Sequence, residues 1–251
     1  MKYNDLQEVL RSPDYRDFTE VVLKTSKQVS FDYETEFKET VEKPSISLLV
    51  SHQFLPFINL AKNEDFTELQ LTCVMIPIYN YIFEGVYLQA INLLTHFLIV
   101  SGEEWQVPES HKNQGRKKRI RTLDEIKKQP ATSKMSFCNK FFKKKKLTKK
   151  KRQKLFNFEW SNIRNKLSHV EFEFDKEGRI IYNSGTKSFS ALEFYNEIKR
   201  LSYTGLIIDF CIKFSFDVKP VETFFEFAHK LYKEDPDFQK EVDKAVRLLE
   251  E

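Results

Sequence analysis

Apolar residues recur at helical spacing through most of the chain and predict a mainly α-helical protein. The clearest repeat lies in 156–170, at alternating steps of four and three: Phe156, Trp160, Ile163, Leu167 and Val170. This is the spacing of one helix face. Similar patterns predict long helices over 66–100 and 190–214. After residue 170 the period changes to two, which together with Gly178 predicts a β-hairpin.

These patterns divide the chain into three parts. Residues 66–216 form the predicted helical core, residues 1–65 a helical N-terminal extension packed on it, and residues 217–251 a C-terminal helical extension. Pro77 is expected to kink the helix over 66–100 or to begin it afresh. The fold class that follows is mainly α: an antiparallel helical bundle with a small β-hairpin after the helix over 156–170 and with additional N- and C-terminal helices.

Composition agrees with a packed helical protein. The 251 residues are 41% hydrophobic and include 24 Phe but only 6 Gly, so a sizeable core and few tight turns are expected. The apolar run 86–100 is shorter than a bilayer needs. It also contains three polar residues, and we therefore expect a buried helix and no membrane partner: Gln89, Asn92 and His96.

Cysteine usage and the N-terminus bear on the compartment and on metals. The cysteines Cys73, Cys138 and Cys211 are widely spaced and form no metal-ligand pattern. The N-terminal residues lack the apolar region of a secretory signal. These observations favour the cytoplasm, and we expect neither a metal nor a cofactor.

Positive charge is concentrated in residues 140–154, which we predict to be a basic loop. Eight basic residues stand there in two runs without an acid between them: Lys143, Lys144, Lys145, Lys146, Lys149, Lys150, Lys151 and Arg152. A solvated loop and a nuclear localisation signal both have this composition. Because the segment leads directly into the helix over 156–170, binding of RNA is the functional interpretation.

The polar side of that helix carries an unusual set of side chains. Arg164, Asn165, Ser168 and His169 lie opposite the apolar stripe. Arginine offers a planar fork of donors to a phosphate, histidine can act as general base or acid, and asparagine can orient an imidazole or a hydroxyl. This set suits RNA cleavage by the 2′-hydroxyl, which needs no metal.

The stretch Arg164-Asn165-Lys166-Leu167-Ser168-His169 resembles the Arg-Asn-x-x-x-His motif of HEPN domains (higher eukaryote and prokaryote nucleotide-binding). The surrounding order of a long apolar helix, the motif helix, an extended stretch and another helix is similar to a HEPN bundle over roughly residues 69–214. The resemblance implies a metal-independent endoribonuclease that leaves a 2′,3′-cyclic phosphate. It also implies a homodimer that brings two motif helices together, and a role in antiviral defence, abortive infection or a toxin–antitoxin pair, where an antitoxin or defence-system protein would be a partner.

The resemblance also implies roles for single residues. Arg164 would bind the scissile phosphate, His169 would exchange a proton with the 2′-hydroxyl or the leaving oxygen, and Asn165 would hold the imidazole or a phosphate oxygen. Many HEPN ribonucleases carry a polar or acidic residue on the earlier long helix, and the candidates here are Glu84, Asn92 and His96. Asn92 and His96 also belong, with Gly85 and Gln89, to a stripe at steps of four, three and four, and the pattern favours a line of partly exposed residues over a role in the site.

A different class of function also fits the sequence. A non-catalytic HEPN scaffold would bind RNA or a partner protein through the basic segment and the C-terminal helices. Catalysis is favoured because the three motif side chains, Arg164, Asn165 and His169, are all present. Ser168 is a supporting candidate beside them.

Overall fold

A computed structural model describes residues 15–29, 66–108, 117–182 and 187–216. Within these ranges the protein is mainly helical, with two small antiparallel sheets. The predicted extension 217–251, and residues 1–65 apart from 15–29, lie outside the described residues. The helices are α1 Arg16–Ser26, α2 Glu68–Ile82, α3 Leu88–Val100, α4 Leu123–Lys127, α5 Ala131–Lys144, α6 Lys149–Leu155, α7 Phe158–Ser168 and α8 Ala191–Ser215.

The predicted helix over 66–100 is continuous. It begins at Thr67, whose side chain forms a capping box with Gln70, and it passes through Pro77 without restarting. A π-helical turn, Phe83–Tyr87, joins α2 to α3. By length and composition the resulting 33-residue helix could cross a membrane, and the run 86–100 is only its last part. However, 67% of its apolar window is buried within the protein, which makes it a core helix.

The predicted helix over 190–214 is confirmed as α8. It packs along α2, the π-helical turn and α3. The approach is close at Gly205, where an added Cβ would lie 3.0 Å from the Cα of Tyr87. Glycine therefore permits this contact. Near the start of α8, Phe194 is buried and Leu192 is 67% exposed, so the helical spacing alone does not fix the packed face there.

The predicted motif helix is α7, and four of its five stripe residues are buried. Phe156 lies just before α7, while Trp160, Ile163 and Leu167 anchor the helix in the core. The fifth prediction was wrong: the side chain of Val170 is 74% exposed. The backbone turns left-handed at this residue, with φ 56°, so the helical period ends before it.

The predicted hairpin after the motif helix is confirmed, with shorter strands. Its strands are β3 Glu173–Phe174 and β4 Ile180–Tyr182, and a third strand, β5 Lys187–Phe189, pairs with β4. Gly178 takes φ 81° in the turn, where an added Cβ would lie 2.6 Å from the backbone nitrogen of Leu69. This turn therefore rests on the first turn of α2.

A second antiparallel pair was not predicted. Strands β1 Trp105–Pro108 and β2 Lys117–Ile120 cover a small cluster formed by Trp105, Ile120 and Ile126. The first three residues of β2 are basic and exposed, and only its last residue is buried. The strand therefore lacks the alternation of apolar and polar positions that would have predicted it.

The predicted basic loop 140–154 was also wrong, because most of it is helical. Helix α5 continues to Lys144, and α6 begins after Thr148, whose side chain accepts a hydrogen bond from the Lys151 backbone nitrogen. Between the helices, Lys146 takes φ 64° and Leu147 is buried. The cap and the buried leucine fix a tight corner here.

Candidate functional site

Buried polar contacts join α7, and the end of α6 that leads into it, to the neighbouring helices. The hydroxyl of Tyr79 donates to the Trp160 carbonyl of α7 at 2.9 Å, and the hydroxyl of Tyr87 donates to the Leu155 carbonyl at the end of α6 at 2.9 Å. The indole nitrogen of Trp160 donates to Glu197 at 2.7 Å. These bonds satisfy polar groups that burial would otherwise leave without water. The buried side of α7 is therefore bonded to the core, and the opposite side faces solvent.

The first turn of α7 is joined to the three-stranded sheet. Asn157 caps the helix by accepting from the Glu159 nitrogen at 3.2 Å. The Glu159 carboxylate accepts from the hydroxyl of Tyr182 at 3.0 Å and pairs with Lys187 at 2.6 Å. The sheet thus positions the helix from its start.

Arg164 lies on the exposed side of α7 and reaches the π-helical turn. One terminal nitrogen contacts the carboxylate of Glu84 at 2.6 Å, and the other donates to the Asn165 side-chain oxygen at 3.3 Å. The Nε atom is buried without a hydrogen-bond partner among the described residues. Arg164 is 32% exposed and Glu84 44% exposed, so this ion pair borders solvent. The predicted acidic candidate and the motif arginine are therefore in contact.

The end of α7 presents His169 and Ser168 to solvent. Ser168 is the last helical residue, His169 is the C-cap, and both are exposed. The Glu171 nitrogen donates to the Lys166 carbonyl at 2.8 Å and the Val170 nitrogen to the Leu167 carbonyl at 3.3 Å. This is a Schellman motif. The helix therefore ends immediately before this histidine.

Two other candidates on the long helix have a different environment. Asn92 is 4% exposed and His96 6% exposed, so neither belongs to a partly exposed line, whereas Gln89 is exposed. The Asn92 side-chain oxygen accepts from Lys134 of α5 at 2.8 Å, so its observed partner lies on α5 and not on α7.

Lys134 was missed by sequence reasoning. It is 1% exposed, and burial lowers the pKa of its ammonium to about 8, although the nearby Glu84 carboxylate acts in the opposite direction. The π-helical turn that carries Glu84 was missed as well. An isolated lysine in an amphipathic helix normally indicates a solvated position, and no residue pattern marks a π-helical turn.

Some basic side chains of the segment 140–154 have partners within the protein, whereas others are exposed without an acidic partner among the described residues. Arg152 donates to the Leu147 carbonyl and, at 3.0 Å, to Asn139. Lys144 pairs with Glu103, Lys151 pairs with Asp17, and Lys145 lies over the Phe141 ring. The remaining four make no ion pair with the part of the chain that the structure describes, and all are exposed: Lys143, Lys146, Lys149 and Lys150. We call these four the corner lysines.

Two further features were considered as candidate sites: a cavity beside the hairpin and groups of metal-binding side chains. A cavity of about 480 Å³ between α2, the hairpin turn and α8 is lined by none of the predicted site residues: Glu68, Glu177, Arg179, Ser190 and Glu193. Across the four described ranges, no three His, Cys, Asp or Glu side chains are grouped so that they could hold a metal ion.

No protein-family model, curated protein or solved structure matches the chain. The candidate site is therefore defined by its own geometry.

Proposed function

We propose that this protein is a metal-independent RNA endonuclease of HEPN type, with Arg164, Asn165 and His169 as its motif residues. One observation carries the proposal: a helix buried on one side presents an arginine, an amide and a histidine together on its exposed side. The Glu84–Arg164 contact supports it, because it places an acidic residue of the earlier helix against the motif.

The chemistry follows from these side chains. Arg164 has two terminal nitrogens that can bind two oxygens of a phosphate once the Glu84 carboxylate is displaced. His169 is exposed and can accept the 2′-hydroxyl proton or donate one to the leaving oxygen. Attack of the 2′-oxygen on phosphorus breaks the bond to the 5′-oxygen and leaves a 2′,3′-cyclic phosphate. Asn165 contacts Arg164 and would hold its fork in place.

The decisive experiment uses single-stranded RNA in EDTA. Wild-type protein should cleave it, and Arg164→Ala and His169→Ala should each lower the rate by at least about a hundredfold. Arg200→Ala is the matched control, since this exposed arginine pairs with Glu197 on α8. Circular dichroism should be unchanged in all three variants. Cleavage that requires a divalent metal would refute the mechanism.

The active form in this proposal is a homodimer located in the cytoplasm. One α7 supplies one histidine, whereas an acid and a base must stand on opposite sides of the phosphorus. A two-fold axis provides the second copy. Mixing excess His169→Ala chains with wild-type chains under exchange should lower activity per wild-type chain. Constant activity would show that each chain works alone.

A non-catalytic RNA-binding scaffold is the second candidate. The observation that favours it is the occupied arginine: Arg164 already pairs with Glu84, while the corner lysines can bind RNA without it. RNA binding that survives His169→Ala, with no cleavage by wild type, would select this function. A toxin, abortive-infection or antiviral role belongs to the first proposal, and an antitoxin gene beside this one would support it.

A further inference from the structure

Arg164, the phosphate-binding residue of the proposed reaction, is already paired with an anion. One terminal nitrogen lies 2.6 Å from the Glu84 carboxylate, and the other donates to the neutral side-chain amide of Asn165 at 3.3 Å. The Nε atom of Arg164 has no hydrogen-bond partner among the described residues. Within that part of the chain, Glu84 is therefore the charged partner of the motif arginine.

Glu84 is fixed at its backbone and free at its carboxylate. Its neighbours Phe83 and Val86 in the π-helical turn are buried, and its carbonyl accepts from the Gln89 amide at 3.3 Å. The side chain, in contrast, is 44% exposed. A phosphate can therefore displace the carboxylate from Arg164. The carboxylate then turns only about its own side-chain bonds, so it stays beside the bound phosphate.

The other charges near the motif do not restore an excess of positive charge at Arg164. On the same helix, Lys166 pairs with Glu171. Lys134 of α5 is 1% exposed, so it is closed to a ligand. The exposed cation at Arg164 is thus matched by the exposed anion at Glu84. This balance acts differently on anions of different charge.

Phosphate groups fall into two charge classes. A phosphodiester inside an RNA chain carries one negative charge, whereas a terminal phosphomonoester or free phosphate carries about two near pH 8. The cost of removing an ion from water rises with the square of its charge, while the gain from a fixed surrounding potential rises only in proportion. Because Glu84 weakens the positive potential at Arg164, it penalises a dianion more than a monoanion.

We infer that Glu84 is a specificity-determining residue that makes Arg164 select internal phosphodiesters over terminal phosphomonoesters and free phosphate. The inference rests on the proposed function, because Arg164 must be the group that binds the substrate phosphate. It deepens that function by giving Glu84 a part in the choice of anion. RNA ends, mononucleotides and inorganic phosphate then compete only weakly for the site.

The first test measures binding without catalysis. The probes are 2′-deoxyuridine 3′-phosphate and its methyl ester, which differ by one charge and have no 2′-hydroxyl to attack. NMR titrations of the ¹⁵N-labelled full chain near pH 8 give both dissociation constants. Glu84→Gln should tighten binding of the monoester about threefold to tenfold more than binding of the ester. Equal tightening, or no binding of either probe by this variant, would overturn the inference.

A matched control separates a local effect from a change in net charge. Glu104→Gln also frees an exposed arginine, Arg119, from a glutamate at 3.0 Å, and it changes the net charge equally. It should leave the ratio of the two dissociation constants unchanged. A shift as large as that of Glu84→Gln would mean that net charge alone decides, which contradicts the inference.

A second background tests whether the probes bind at Arg164. In Arg164→Ala protein, Glu84→Gln should no longer change the ratio of the two dissociation constants, since the phosphate has lost its binding group. A persisting shift would place the probes elsewhere. That result would overturn both the inference and the phosphate-binding role of Arg164.

Inhibition of cleavage provides a third readout. Inorganic phosphate should inhibit RNA cleavage by Glu84→Gln at concentrations about threefold to tenfold lower than those that inhibit wild type. Equal inhibition of the two proteins would contradict the selection. Absence of cleavage by wild type would refute the nuclease, while the titrations with the two nucleotides would still decide the role of Glu84.

Discussion

Val170 has an unfavourable backbone for its residue type. It stands at the left-handed position of the Schellman motif that ends α7, with φ 56°, where glycine is usual. A left-handed conformation costs an L-residue about 1–2 kcal/mol, and β-branching adds to the strain. Because its side chain is 74% exposed, burial returns little of this energy. The strained turn directly follows His169.

Val170→Gly should therefore stabilise the protein by about 0.5–1 kcal/mol, the relieved strain less the extra entropy of an unfolded glycine. Urea unfolding measures the change. Lys146→Gly, at the other non-glycine residue with a left-handed backbone in the described ranges, provides the comparison and should also stabilise. A destabilised Val170→Gly would show that the exposed valine makes a contact that the described chain lacks.

Single residues were predicted well where periodicity alone decides their side of a helix. The exposure of Asn165, Ser168 and His169 and the burial of Trp160 followed directly from the pattern. Val170 failed because apolar spacing carries no information about the sign of φ. Lys134 failed because its burial depends on an acceptor that another helix supplies.

The contact between α3 and α5 contains this buried lysine, and it makes stability depend on pH. Burial holds the pKa of Lys134 near 8, below its usual 10.5. The folded state therefore disfavours the charged form, and this cost is fully present below pH 8. As pH rises from 8 towards 10.5, the folded protein loses the proton first, and the cost disappears.

The free energy of unfolding of wild type relative to Lys134→Met should consequently increase between pH 8 and 10.5. Urea unfolding at several pH values measures it, and the difference between the two proteins cancels other titrating groups. Asn92→Leu removes the acceptor, so its increase should begin at a lower pH. A difference that is flat with pH would mean that Lys134 keeps its ordinary pKa.

Elements with long, regular patterns were predicted, and short or irregular ones were not. Helix α8 followed from its helical spacing, and the hairpin followed from the change of period and the turn glycine. The β1–β2 pair is basic and exposed on three of the four β2 positions, so it shows no strand period. The segment 140–154 was mistaken for a loop because its many lysines concealed the cap at Thr148 and the buried Leu155.

The formal net charge of +4 conceals a local excess at the corner between α5 and α6. Many basic side chains in the described ranges have acidic partners, whereas the corner lysines have none among the described residues. Lys143 lies on α5, Lys149 and Lys150 lie on α6, and Lys146 lies between them, so all four belong to the segment that immediately precedes α7 in the chain. A polyanion bound there would release counterions as it replaces them.

Replacing all four corner lysines with serine should lower RNA affinity and reduce the slope of log K against log salt by about three, since each single-strand contact contributes about 0.7. Fluorescence anisotropy across a salt series measures this. The control replaces four basic residues that have acidic partners and so changes the net charge equally: Lys118, Arg119, Lys127 and Arg200. A similar loss of slope in both proteins would mean that only total charge matters.

The π-helical turn Phe83–Tyr87 acts as a spacer of one residue in a 33-residue helix. Deleting one residue there would restore ordinary α-helical bonding while rotating one half of the helix by about 100° against the other. Glu84 could then no longer face Arg164 while Asn92 faces Lys134. A change in the length of this turn should therefore break one of these two contacts even where every side chain of the turn is kept.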